Sequence, residues 1–147
     1  MFKPILIGML LATCALVGGS TYSTQAQQPT HYPKLISGQM PLYPSLARTA
    51  HITGTVELQI TVQKGSVIEV QVKSSSSPHL TNPSISNIKT WQFDAEGSIT
   101  FLIKYVYEIK GKQTAIPENP RVELDLPHLV RVIARPFKPT SNADKGP

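Results

Sequence analysis

The feature that most constrains this chain is an uninterrupted alternation between residues 52 and 63. Ile52, Gly54, Val56, Leu58, Ile60 and Val62 fall on one side, and Thr53, Thr55, Glu57, Gln59, Thr61 and Gln63 on the other. A period of two held this long is the mark of a strand with one face buried and one face wet. Lys64-Gly65-Ser66 then supplies a tight connection, and Ile68, Val70 and Val72 alternate against Glu69, Gln71 and Lys73, which predicts a β-hairpin. A hairpin that is greasy on one side needs a cover. The next segment offers one: Thr81 or Asn82 as N-cap, Pro83 at the first helical position, and Ile85, Ile88 and Trp91 spaced by three.

A third strand is expected from Ile99 to Ile109. Ile99, Phe101, Ile103, Tyr105, Tyr107 and Ile109 share one face, with Thr100, Leu102, Lys104, Val106 and Glu108 on the other. Upstream of the hairpin, Tyr43-Pro44-Ser45 opens a short helix to about Ala50. Downstream, Arg121 to Arg135 alternates again in two pieces broken by Pro127, and a proline there confines the stretch to a sheet edge or to two short strands. The expected class is α+β: a three-stranded antiparallel sheet, with one or two further C-terminal strands as an extension, and two helices packed on one face.

The flanks are of a different character. Residues 1–26 carry Lys3 as their only charge, the apolar run Ile5–Val17 and a small-residue ending Thr24-Gln25-Ala26, the layout of a secretory signal cleaved before Gln27. The apolar run is shorter than the roughly 18 to 20 residues a membrane-crossing helix needs. Leu11-Ala12-Thr13-Cys14 loosely resembles a lipoprotein cleavage box, which makes lipidation of Cys14 the weaker alternative. The expectation is a periplasmic or secreted protein, with lipid anchoring second. Residues 27–42, with Pro29, Pro33, Gly38 and Pro41, read as a flexible arm, and residues 138–147 as a disordered tail. The folded region is then a domain over 43–109 and a strand extension over 110–137.

Several chemistries are disfavoured. Cys14 is the only cysteine, so the folded region holds no disulfide or thiolate metal site. The net charge of +5 comes from lysines and arginines scattered among acids, without the basic stripe that nucleic acid requires. His31, His51, His79 and His128 show no paired spacing for a metal. Ser74–Ser77, His79 and Asp94 contain the residue types of a serine nucleophile but no strained elbow or flanking glycines, so a solvated loop is the better reading. Trp91 and Phe93 read as core anchors rather than a stacking platform. Tyr105 and Tyr107 share the inward face, and their hydroxyls need partners if buried. Arg121, Arg131 and Arg135 are read as solvated surface residues. No enzyme activity and no small-molecule cofactor are expected.

The order of elements and a set of residues resemble the TonB C-terminal domain: Tyr43-Pro44, then Ile52-Thr53-Gly54-Thr55-Val56, Gly65 and Val67 at the hairpin, and Trp91-Gln92-Phe93 after the helix. The resemblance covers about residues 41 to 109. Asp94-Ala95 stands where a proline is usual, Ser74–Ser77 replaces a serine-glycine pair, and residues 110–137 run past the family's usual end. Energy-transducing members keep a membrane helix and a long proline-rich spacer. A domain released at Gln27 would have only a 16-residue arm, reaching about 55 Å at roughly 3.4 Å per residue.

What the resemblance implies is a non-catalytic envelope module that binds a protein or peptide, such as an outer-membrane receptor segment, by strand addition. The receiving edge would be the strand Ile99–Ile109, with Thr100, Leu102, Lys104, Val106 and Glu108 as its outward-facing residues. A strand from Arg121 onward can reach that same edge and occlude it. The alternative is a structural envelope protein that self-associates, as a homodimer, through the same edge.

Overall fold

The computed structural model describes residues 31–116 and 118–138. The expected signal segment, Cys14 and nearly all of the expected tail lie outside the described residues. The order of elements is β1 (Lys34–Ser37), α1 (Ser45–Thr49), β2 (Gly54–Gln63), β3 (Ser66–Ser75), α2 (Pro78–Ile88), β4 (Gln92–Asp94), β5 (Ser98–Ile109), β6 (Arg121–Asp125) and β7 (Leu129–Ala134). The strands form one mixed seven-stranded sheet in the order β1-β4-β3-β2-β5-β7-β6. The class is α+β, but the expected three-stranded antiparallel sheet is only its centre, β3-β2-β5.

Alternation does what it promises in β2: Val56, Leu58, Ile60 and Val62 are fully buried, and β5 lays Phe101, Ile103, Tyr105 and Tyr107 beside them. Lys64 and Gly65 both have positive φ, 48° and 84°, and connect Gln63 directly to Ser66. A two-residue loop with both central residues left-handed matches the twist of the flanking strands. In β3 the alternation misleads. The register shifts between Thr61 and Val62, so Val67 rather than Ile68 stands opposite Val62, and Ile68 is left exposed at the bulge.

The covering helix starts earlier than its prolines suggest. Ser77 is the N-cap, in extended conformation, and its Oγ accepts from the His79 N–H at 3.3 Å; Pro78 takes the first helical position and Pro83 lies inside. The buried face is therefore Leu80, Ser84 and Ile88, not Ile85, Ile88 and Trp91. Trp91 still anchors the core, from the turn beyond the helix, with Phe93 next to it in β4. Gly38 packs so closely on the indole that a Cβ there would collide with the ring.

Residues 27–42 do not read as an arm in their described part. Lys34–Ser37 form β1, which pairs antiparallel with β4 at Lys34↔Asp94 and Leu35↔Phe93. This ribbon joins β3 through Ser66↔Gln92, and the Phe93 N–H donates to the Gly65 carbonyl at 2.8 Å. Gln39 fastens the following loop, its carbonyl accepting from Trp91 Nε1 at 3.0 Å and from Asn87 Nδ2 at 2.8 Å.

Each buried phenol has a partner, as burial demands. Tyr43 donates to the Ile52 carbonyl at 2.6 Å, Tyr105 to Asn87 Oδ1 at 2.9 Å, and the Tyr107 hydroxyl shares a 2.8 Å hydrogen bond with Ser84 Oγ. Burial pushes all three phenols above the ordinary tyrosine range, Tyr43 up to about 12.

The C-terminal extension is part of the core. Val130 and Val132 are fully buried and Ala134 nearly so, in line with Tyr105, Tyr107 and Ile109 across a parallel pairing. Arg48, on the short helix α1 and only 7 % exposed, clamps the extension from the other side. Its Nε donates to the Arg135 carbonyl at 2.8 Å and its Nη1 to the Glu118 carbonyl at 3.0 Å, and the guanidinium lies 5.4 Å from the Phe137 ring centre. Among the described residues no helix is long and apolar enough to cross a membrane.

Candidate partner-binding edge

Within a strand, the N–H and C=O of one residue point to the same edge, and the next residue's to the opposite edge. The Lys104 N–H donates to the His128 carbonyl at 2.8 Å and the Lys110 N–H to the Ala134 carbonyl at 2.9 Å. The even-numbered residues of β5 therefore present their backbone groups to the β7 side. These are the five residues expected to form the receiving edge, and the structure divides them. Lys104, Val106 and Glu108 lie opposite Leu129, Arg131 and Ile133 of β7, which runs parallel to β5 from 104 to 109. Thr100 and Leu102 lie beyond the start of β7 and, among the described residues, have no strand beside them on that side.

The open stretch, Ser98–Ile103, is bounded at one end by His128. Tyr32, just before β1, closes over its core side, edge-on to Phe101 at 5.9 Å and to His128 at 4.7 Å between ring centres. On the solvent side Leu102 is 42 % exposed, and Thr100 Oγ1 lies 3.0 Å from Thr61 Oγ1 on β2. The site thus combines unpaired backbone donors and acceptors with an exposed leucine on one face and an aromatic end on the other. That suits an extended peptide, whose backbone supplies affinity and whose alternate side chains supply selectivity.

Farther along the outer face the surface is ionic. Glu108 pairs with Lys110 at 2.7 Å, and that hydrogen bond, with the Lys110 and Arg131 charges behind it, holds the Glu108 carboxyl below the usual carboxylate range against a smaller desolvation effect. Glu123 bridges Arg121 at 3.0 Å and Arg131 at 3.1 Å.

β6 is the outermost strand on this side. Because even-numbered residues of β7 face β5, its odd-numbered residues face β6 and stand opposite Arg121, Glu123 and Asp125. The backbone groups of Val122 and Leu124 consequently point outward. Pro120 and Pro127 bracket this short edge, as is common where a sheet must end.

The residues weighed for catalysis do not converge. Ser75 ends β3, while Asp94 pairs with Lys34 of β1, two residues past Gln92, which lies opposite Ser66 at the other end of β3, about 30 Å from Ser75 at roughly 3.3 Å per residue. Ser77 is committed to capping α2. Among the described residues no three His, Cys, Asp or Glu side chains gather as a metal site would require. The sequence reading missed Tyr32 and Arg48. One precedes a strand that has no alternation to announce it, and the other is a single cation on a five-residue helix.

A search of curated proteins finds no match to the chain. A comparison with protein families matches residues 39–109 to the Gram-negative bacterial TonB protein C-terminal family. The match ends at Ile109, the last residue of β5, so β6 and β7 lie outside it. Residues 39–109 thus resemble the TonB C-terminal domain, a non-enzymatic protein-interaction domain of envelope-associated proteins.

Proposed function

We propose that this protein is an exported, non-catalytic binding module of the cell envelope that takes up an extended segment of a partner protein by strand addition. The observation that carries the reading is the half of β5, Ser98–Ile103, that has no strand beside it among the described residues, in the strand on which the family match ends. Thr100 and Leu102 supply the main-chain groups. Lys104, Val106 and Glu108 are engaged with β7 and are not open to an incoming segment. The partner class is that of the family resemblance, a protein such as an outer-membrane receptor.

Removing residues 110–147 would not expose the edge cleanly, because Val130 and Val132 belong to the core. The suitable test keeps the chain intact. A photoreactive side chain at Thr100 or Leu102, activated in the living envelope, is expected to yield one discrete adduct with another envelope protein. The same probe at Lys73, on the far side of the sheet, is expected to yield none. Equal labelling at all three positions, or no adduct at Thr100 and Leu102, refutes the assignment. Leu102→Pro removes the outward N–H and is expected to abolish the adduct at Thr100.

A further inference from the structure

We propose that β6 is a self-recognition strand, through which two copies of this chain pair antiparallel about a two-fold axis at Glu123. The contact lies across β7 from the open part of β5 and does not depend on a partner binding there.

Three observations point to this occupant. The first is the set of free groups: Val122 and Leu124 direct both N–H and C=O away from β7. In an antiparallel pair centred on Glu123, Val122 of one copy stands opposite Leu124 of the other, and each such pair exchanges two hydrogen bonds. The symmetric contact closes four.

The second is charge. Arg121, Glu123 and Asp125 share the outer face, and the centring places Arg121 of each copy opposite Asp125 of the other. Asp125 has no ion-pair partner among the described residues. The two Glu123 side chains that meet at the axis are each already held between Arg121 and Arg131 of their own chain, so they approach as neutralised groups. On the inner face the contact brings together Val122 and Leu124, the latter 36 % exposed. Opposite charges and apolar pairs directly across two strands are the contacts that stabilise a sheet.

The third is register. Centring on Val122 would set Pro120, which has no N–H, opposite Leu124 of the second copy. Centring on Leu124 would oppose Glu123 to Asp125 twice. Pro120 and Pro127 stop the pairing from extending, and a two-fold contact uses up the edge on both copies, so association ends at the dimer.

Sedimentation of the intact protein recovered from an exporting host, across a concentration series, tests the proposal. The expected result is a reversible monomer–dimer equilibrium. Arg121→Asp and Asp125→Arg each turn two opposite-charge contacts into like-charge ones, and each variant alone is expected to dimerise on the order of tenfold to a hundredfold more weakly. Mixing the two variants restores opposite charges at both contacts, and the mixed dimer is expected to recover near wild-type strength. Thermal unfolding of each variant checks that folding is intact. A wild-type protein that stays monomeric at its highest soluble concentration overturns the proposal and leaves the edge to a foreign segment. A dimer indifferent to both reversals, or variants that fail to rescue each other on mixing, overturns it equally.

Discussion

Replacing Arg48 by methionine isolates the clamp that joins α1 to the C-terminal extension, because methionine keeps the unbranched stem and deletes the guanidinium. Two hydrogen bonds from a charged donor, at 2.8 and 3.0 Å, are lost together with the cation over Phe137. Bonds of that kind contribute about 1.5–3 kcal/mol each, and the ring contact about 0.5–1 kcal/mol. Against this, no carboxylate pairs with the guanidinium among the described residues, and removing a cation that is 7 % exposed relieves a desolvation cost of several kcal/mol. The net expectation is a loss of about 2 kcal/mol, which lowers a urea midpoint by about 1 M at the slope usual for a small domain. Hydrogen exchange locates the effect. The amides of Lys110, Thr114 and Lys138, which bond to Ala134, Pro136 and Thr114, should lose protection before those of the β2–β3 hairpin. An unchanged midpoint, or a uniform loss across the sheet, would refute the view that Arg48 holds the extension in place.

Gly65→Ala should cost about 1–3 kcal/mol, since its φ of 84° disfavours any Cβ and that carbon would lie 2.8 Å from the Phe93 carbonyl oxygen; chemical denaturation reads the loss. Tyr43, pushed up to about 12 by burial and secondarily by Tyr107, binds its proton more tightly in the folded state than in the unfolded state, where it titrates near 10. Its contribution is therefore complete below about pH 10 and disappears as pH rises through about 12, and Tyr43→Phe should flatten that part of the stability profile. Tyr107→Phe should destabilise by about 1 kcal/mol only, because Ser84 Oγ keeps its 2.8 Å bond to the Leu80 carbonyl. Mass spectrometry of the protein isolated from the native envelope should read Gln27 as its first residue; Met1, or a lipidated Cys14, would contradict cleavage there.

What could be read in advance was whatever repeats locally. The alternation in β2 and β5 announces both strands and their buried faces because each residue's environment depends on its immediate neighbours. β4 escapes such a reading: Gln92–Asp94 is three residues long, and its pairing with Lys34–Ser37 joins segments about 60 residues apart. The same holds for β7, whose alternation shows a strand without showing its direction, so the parallel docking on β5 that halves the candidate edge is a property of the assembled sheet. At the α2 start two prolines compete, Pro78 and Pro83. The choice falls to Ser77, whose hydroxyl serves the first turn. Ile68 illustrates a subtler limit, since one extra residue in β3 moves it out of the row its spacing assigns to it.

The sheet order has a consequence for assembly. β7 sits between β5 and β6 although it follows both in sequence. β6 pairs with β7 alone, so it reaches the sheet only as one arm of the β6–β7 hairpin, and that hairpin docks on β5 through β7. The two strands therefore join or leave the sheet as one unit. Because Val130, Val132 and Ala134 carry that unit into the core, the outermost strand is secured by side chains that belong to its neighbour.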